Sequence, residues 1–196
     1  LNRLDLYTRD GGRGLEREFP PPLILGGDCA GEIVECGDGV AGLKTGDRVV
    51  INPRLSCMQC APCLAGQDDL CRRSQFLGSA IDGSYAEFIS IPASNAHLLS
   101  DSVSFEQAAA APTTYLPMWN MLVRRLQLKP WQTVLVLSAS AGVGTAAIQL
   151  TKDVIGAKVI ATTSSPEKAD KALELGADVV INYQEENIRE RVREIT

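Results

Sequence analysis

Four cysteines carry the most specific chemistry in this 196-residue sequence: Cys57, Cys60, Cys63 and Cys71, separated by two, two and seven residues. Thiolates this close in sequence can surround one ion tetrahedrally, the arrangement that zinc prefers. Disulfides are the competing reading, but the three close cysteines would then close short, strained loops, and a cytosolic compartment keeps such thiols reduced. With all four positions filled by protein, no coordination site is left for a substrate, so the expected Zn2+ is structural. It would pin Leu55 to Arg73, a loop with few apolar residues of its own.

The second chemical feature is a turn, Ala139-Ser140-Ala141-Gly142-Val143-Gly144, between an apolar β-branched run (Thr133 to Ser138) and a helical pattern (Ala146, Ala147, Leu150, Val154) that stops at Gly156. A turn joining a strand to a helix N-terminus aims backbone N–H groups and the positive helix end at one point, which suits a pyrophosphate. Against the dinucleotide fingerprint, the three glycine positions hold Ala139, Ala141 and Gly144, so only the last is kept. The context is the required one, because a second strand (Lys158 to Thr163), a helix and a third strand (Asp178 to Tyr183) follow in order. A plain buried βαβ unit that binds nothing is the alternative.

The second strand runs into Thr162-Thr163-Ser164-Ser165-Pro166, with no carboxylate where an NAD site usually holds the ribose hydroxyls. Ser165 can cap the next helix with Pro166 at its first position. Lys168 then falls in the first turn, where the macrodipole disfavours a cation unless an anion is held nearby. A 2′-phosphate between Ser164 and Lys168, hence NADPH, is the preferred reading over a solvated lysine.

The elements that must position these groups divide in two. Gly31 to Cys36, Asp47 to Asn52 and Tyr85 to Ile91 read as strands separated by turn residues, while Leu1 to Arg9 could be a strand end or a short helix. Asp10 to Pro22 is a glycine, proline and charge-rich loop. Phe105 to Ala111 and Tyr115 to Leu126 read as helices interrupted by Pro112 and Pro117. A boundary near Pro117 separates a mostly β domain, 1–117, from an α/β domain, 118–196. Cys29 and Cys36 read as core thiols and His97 as a loop residue. The chain begins without a methionine and ends inside a helical pattern, so it is expected to be part of a longer protein.

Hydrophobic and charged contents of 45% and 22% are those of a globular protein. A net charge of −5 without a basic block argues against a nucleic-acid or anionic-membrane surface. No apolar run approaches the roughly twenty residues of a membrane span. A cytoplasmic location is expected.

Together these features resemble the medium-chain dehydrogenase/reductase superfamily, in which a GroES-like domain with a four-cysteine lobe precedes a Rossmann domain. The similar stretches are Leu1-Asn2-Arg3-Leu4-Asp5-Leu6-Tyr7, Leu25 to Gly31, Gly46-Asp47-Arg48-Val49 and Ala109-Ala110-Ala111-Pro112. The turn and the tail Val180 to Asn187 look most like the quinone reductase branch, where a tyrosine matching Tyr183 approaches the adenosine 2′-phosphate. The resemblance implies a partial GroES-like domain followed by the first half of a doubly wound parallel sheet, and a homo-oligomer in the full-length form.

Zinc alcohol dehydrogenases hold a catalytic ion with a cysteine where Asn2 stands, a histidine-glutamate pair at Gly27 and Asp28, and a cysteine or acid near Thr113. Glycine has no donor atom, and neutral Asn or Thr oxygens are poor zinc ligands. The resemblance therefore implies a structural zinc without a catalytic one. Without a Lewis acid, oxidising an unactivated alcohol is difficult, whereas reducing a quinone or enone needs only hydrogen-bond donors and a proton. Asn2 and Tyr7 match positions that face the nicotinamide pocket in quinone reductases, which makes them the expected groups polarising the acceptor oxygen. The alternatives are a zinc alcohol dehydrogenase using Asp28 and Cys29, and a non-catalytic nucleotide-binding remnant.

Overall fold

The computed structural model describes residues 1–11 and 22–196. The expected loop from Asp10 to Pro22 lies mostly outside the described residues. Contacts divide the chain into two units, Leu1–Thr113 and Thr114–Thr196. The division falls a few residues before the expected Pro117.

In the first unit, α1 (Arg3–Asp10) opens with a capping box: Asn2 Oδ1 accepts from Leu4 N at 3.1 Å, and Asp5 accepts from Asn2 N at 2.7 Å. Gly11 ends the helix in the left-handed conformation. The strands β1 (Ala30–Glu32), β2 (Arg48–Ile51) and β5 (Ala96–Leu98) form an antiparallel sheet in the order β1-β2-β5. Alternation on β2 turns Val49 and Ile51 inward onto Leu77, with Cys29, Ile33, Ile81, Ile89 and Ile91 packed around them. The hairpin β3 (Arg54–Leu55) and β4 (Gln75–Phe76) brackets the cysteine lobe, which contains the short helix α2 (Ala61–Leu64). Arg48 ties the sheet to α3 (Phe105–Ala110): its guanidinium donates to the carbonyls of Ser100 and Val103 and lies 4.5 Å from the centre of the Phe105 ring.

Three expectations are corrected in this unit. Tyr85 to Ile91 is not a strand; the amides of Gly83, Ser84 and Tyr85 bond to the carbonyls of Ile24, Gly26 and Leu25, and Gly26, at φ +106°, breaks the extended geometry a ladder needs. Its isoleucines reach the core regardless, which is why the apolar pattern looked strand-like. His97 is not in a loop but in β5, opposite Val50. The strand expected from Gly31 to Cys36 covers only Ala30–Glu32.

The second unit is built on a parallel sheet, β6 (Thr133–Val136), β7 (Lys158–Thr163) and β8 (Val179–Asn182), in the order β6-β7-β8. The central β7 is covered on both faces: Val159, Ile160 and Ala161 are wholly buried. Small residues of α5 (Gly142–Gln149) let it lie close to the sheet, with Ala146 and Ile148 fully buried. The helix continues as a π turn over Leu150–Ile155 and closes at left-handed Gly156. Ser165 caps α6 (Pro166–Glu174) as expected, accepting from Lys168 N, and α7 (Ile188–Ile195) follows β8. Pro112 does separate two helices, since α3 ends at Ala110 and Pro112 opens α4 (Pro112–Trp119). Pro117 does not interrupt, because it sits inside α4 and the chain runs on as a π turn through Asn120–Arg125. The loss is confined to the bond Pro117 N would have made one turn back.

Candidate functional site

The cysteine lobe is preformed for a metal. The Sγ atoms of Cys57, Cys60, Cys63 and Cys71 all lie within 4.8 Å of one another, with Cys60 and Cys63 3.4 Å apart and Cys57 and Cys63 3.9 Å apart. The edge of a tetrahedron with Zn–S bonds of 2.3 Å is about 3.8 Å, so these positions suit zinc. None of the cysteines is in a disulfide. The first turn of α2 carries Cys63, the hairpin end supplies Cys57, and a 3₁₀ turn over Asp68–Leu70 delivers Cys71. Cys57 N donates to Cys71 Sγ at 3.4 Å and Arg73 donates to Cys57 Sγ at 3.2 Å, two contacts that offset thiolate charge. The backbone N–H of Gln59 leads in holding the Cys57 thiol down to about 6, while burial pushes Cys63 up to about 12. Arg73 has no spacing signature, and sequence reasoning missed its role.

A second polar cluster forms in the same unit. Asp28 accepts from Asn2 Nδ2 at 3.1 Å and from the Thr113 hydroxyl, and its main-chain carbonyl accepts from Ser84 Oγ at 3.1 Å. Beside it Asp5, buried on α1, accepts from Tyr85 OH at 2.8 Å as well as from Asn2 N. Burial, followed by the Asp5 bond and the charges of Asp5 and Asp28, pushes the Tyr85 phenol up to about 12. Asn2 is thus both helix cap and cluster member. Tyr7, half-buried, is on the same helix and its carbonyl receives the closing Gly11 N–H. Asp5 could have been found from the Asn-x-x-Asp capping spacing. Tyr85, 80 positions away, left no local signal.

The structure therefore gathers Asn2, Asp28 and Thr113 around one point, the positions at which the resemblance places a catalytic metal. The donor set does not fit zinc. Asn2 Oδ1 is spent on the helix cap, the Thr113 proton is directed to Asp28, and Asp28 is the one carboxylate among the three. Position 27 is closed as well: a Cβ on Gly27 would lie 2.9 Å from the Phe76 ring and 3.3 Å from the Leu77 carbonyl oxygen. Burial raises the Cys29 thiol above its usual value.

The nucleotide cradle belongs to the second unit. Ser138, at φ +55°, turns the chain out of β6, and Ser138 N and Ala139 N bond to Oγ1 and the carbonyl of Thr162 on β7. Ala141 is the N-cap of α5 and makes no side-chain cap bond, so no cap covers the first-turn amides of Gly142 and Val143, which are exposed, or that of Gly144, which is buried. That leaves a donor set suited to pyrophosphate oxygens. Gly144 serves packing, since a Cβ there would meet the Ser138 carbonyl oxygen at 2.4 Å. A cavity of about 460 Å³ lies between the turn and α6, lined by Ala139, Ser140, Thr145, Lys168 and Lys171 among others. Lys168 Nζ donates to Ser164 Oγ at 3.2 Å, and Tyr183 N bonds to the Thr163 carbonyl, so Ser164, Lys168 and Tyr183 all collect at the C-terminal end of the sheet.

A β domain with a four-thiolate lobe and a parallel-sheet domain with an open helix N-terminus have the architecture of the medium-chain dehydrogenase/reductase superfamily. Residues 1–101 match the family model of the alcohol dehydrogenase GroES-like domain and residues 142–196 that of zinc-binding dehydrogenase, and the chain belongs to this superfamily. It is 36% identical to a quinone oxidoreductase of Salmonella typhimurium over all of this chain and 51% of that protein. It is 34% identical to an NAD-dependent alcohol dehydrogenase of Saccharolobus solfataricus, over 89% of this chain and 50% of that one. A crystal structure of an NAD-dependent alcohol dehydrogenase superposes with a TM-score of 0.93 at 44% identity, covering all of this chain and 56% of the other. The chain spans about half the length of the curated relatives it matches.

Proposed function

We propose that the protein of which these residues are part is an NADPH-dependent reductase of quinones or activated enones, with a structural zinc and no catalytic zinc. The observation that carries this reading is the Asp28 cluster, where hydrogen bonds and the Phe76 ring occupy what a catalytic ion and its ligands would need. Bound NADPH would supply a hydride. The first-turn amides of α5 would hold the pyrophosphate, with Ser164, Lys168 and Tyr183 around the 2′-phosphate. Asn2, with Tyr7 on the same helix, would polarise the acceptor oxygen, and hydrogen bonds alone would stabilise the anion left by hydride addition. A small-molecule acceptor, a homo-oligomeric full-length form and a cytoplasmic location complete the proposal.

The test is loss of NADPH absorbance with a small quinone and with cyclohex-2-enone, using the full-length protein, alongside metal analysis. Turnover with one zinc per chain supports the reading; no turnover with either acceptor rules it out. Two zincs per chain with oxidation of alcohols would instead establish a zinc alcohol dehydrogenase. Failure of NADPH to raise the melting temperature, with zinc retained, would mark a non-catalytic remnant.

A further inference from the structure

The four thiols of the zinc lobe are not equally covered. Cys63 and Cys71 are buried, and Cys57 Sγ accepts from the Arg73 guanidinium at 3.2 Å. Cys60 is half-buried and lines a cavity of about 310 Å³ together with Pro62, Arg72 and Arg73. The two arginines bring positive charge to that cavity. Cys60 Sγ and Cys63 Sγ are 3.4 Å apart, closer than the 3.9 Å between Cys57 and Cys63. Cys60 is the N-cap of α2 and Cys63 falls in its first turn, the Cys-x-x-Cys spacing that dithiol redox proteins also use.

We propose that Cys60 is a modification site, a thiolate that a hydroperoxide entering this cavity oxidises, with Cys63 as its resolving partner. Cys60 Sγ attacks the O–O bond and displaces hydroxide, which leaves a sulfenic acid. Cys63 Sγ then attacks that sulfur, displaces a second hydroxide and closes the disulfide. Two thiolates thus supply two electrons, and the peroxide leaves as two hydroxides that solvent protonates to water. Arg72 and Arg73 meet the charge that builds on the departing oxygen. Cys57 and Cys71 are then the only thiolates left of the four, too few to hold the ion, so zinc is released and residues 55–73 lose their pin. The short loop that counts against a permanent disulfide here makes this one labile and open to reduction. The inference rests on the zinc reading of the lobe and not on the reductase reading, so absence of quinone turnover would sink the latter and leave it intact.

The experiment treats the full-length, zinc-loaded protein with hydrogen peroxide while a chromophoric chelator reads free zinc against a peroxide-free control. The thiols are then alkylated and mapped by mass spectrometry. The wild type is expected to release one zinc per chain with a single disulfide, Cys60 to Cys63, and to take zinc up again after dithiothreitol. Cleavage within 55–73 by a protease should rise in step with release. Arg72→Ala leaves all four thiols and the Arg73 bond in place, and should slow release about tenfold through loss of one charged donor. Zinc retained while Cys29 or Cys36 oxidises overturns the proposal, as does any other pairing within the lobe. An Arg72→Ala protein that releases zinc at the wild-type rate, or a full-length protein isolated without zinc, overturns it equally.

Discussion

Gly144, in the first turn of α5, approaches Ser138 so closely that a Cβ on it would lie 2.4 Å from the Ser138 carbonyl oxygen. The Ala139 Cα, in the same peptide unit, is 3.0 Å from that point. Both neighbours are backbone, so neither can swing away. Gly144→Ala should therefore cost about 2 kcal/mol or more of stability in the second unit and move the cradle amides. Thermal unfolding of the full-length protein, with and without dinucleotide, checks this; an unchanged melting temperature would mean the turn can relax.

The zinc lobe makes a prediction about local rather than global unfolding. Its base is clamped independently of the metal: buried Asn95 donates to the carbonyls of Asn52 and Arg54, and Leu77 N bonds to the Pro53 carbonyl. Chelation should expose residues 55–73 to proteolysis while the β1-β2-β5 sheet keeps its amide protection. Arg73→Ala should weaken zinc affinity about tenfold by removing the guanidinium from Cys57 Sγ, read by competition with a chromophoric chelator.

Asp178 sets part of the acid stability of the second unit. Its carboxylate accepts from Val159 N at 2.8 Å and from Lys152 Nζ at 2.6 Å. Partial burial works against its charge, but the Lys152 bond, the Val159 amide and the charges of Lys152 and Lys158 outweigh it, so Asp178 titrates below its usual 3.8. A carboxyl lowered on folding contributes stability above its unfolded value and loses it as pH falls through the folded one. Asp178→Asn should flatten stability against pH below about 4, and cost about 1 kcal/mol at neutral pH through the weakened bonds. Urea titrations from pH 2 to 7 provide the measurement.

Strand β6 lies at the edge of the described sheet, and Leu135, Leu137 and Trp131 near it are 41%, 62% and 81% exposed. A polypeptide of residues 1–196 should consequently self-associate as concentration rises. Leu137→Lys should suppress this without lowering the melting temperature. Light scattering that is equal for the two polypeptides would contradict the assignment of that edge as the sticky surface.

Legibility in the sequence followed the range of the interactions. The four cysteines occupy one short loop, so their spacing alone pointed to the geometry found. The cap of α6 at Ser165, the stop at Gly156 and the bounds of β7 depend on neighbours a few positions away, and were readable for the same reason. The strand expected over Tyr85 to Ile91 failed because only Tyr85 of it bonds to the distant segment Ile24 to Gly26, which also takes Gly83 and Ser84 and is bent by a glycine. The Asp28 cluster draws on Asn2, Ser84 and Thr113, which no spacing rule connects. Family resemblance marked three of its positions as vacated ligands, but only the structure shows that they bond to one another. The role of Asn2 was half visible: its cap is local, while its bond to Asp28 is not.

The Phe76 ring against Gly27 limits what position 27 can carry. A histidine introduced there would have to displace an aromatic ring anchored on β4, and would also press on the Leu77 main chain. Asn2 would have to give up the cap of α1, and Thr113 its bond to Asp28. A ligand introduced at any one of these positions would therefore first have to undo a contact that the fold already makes.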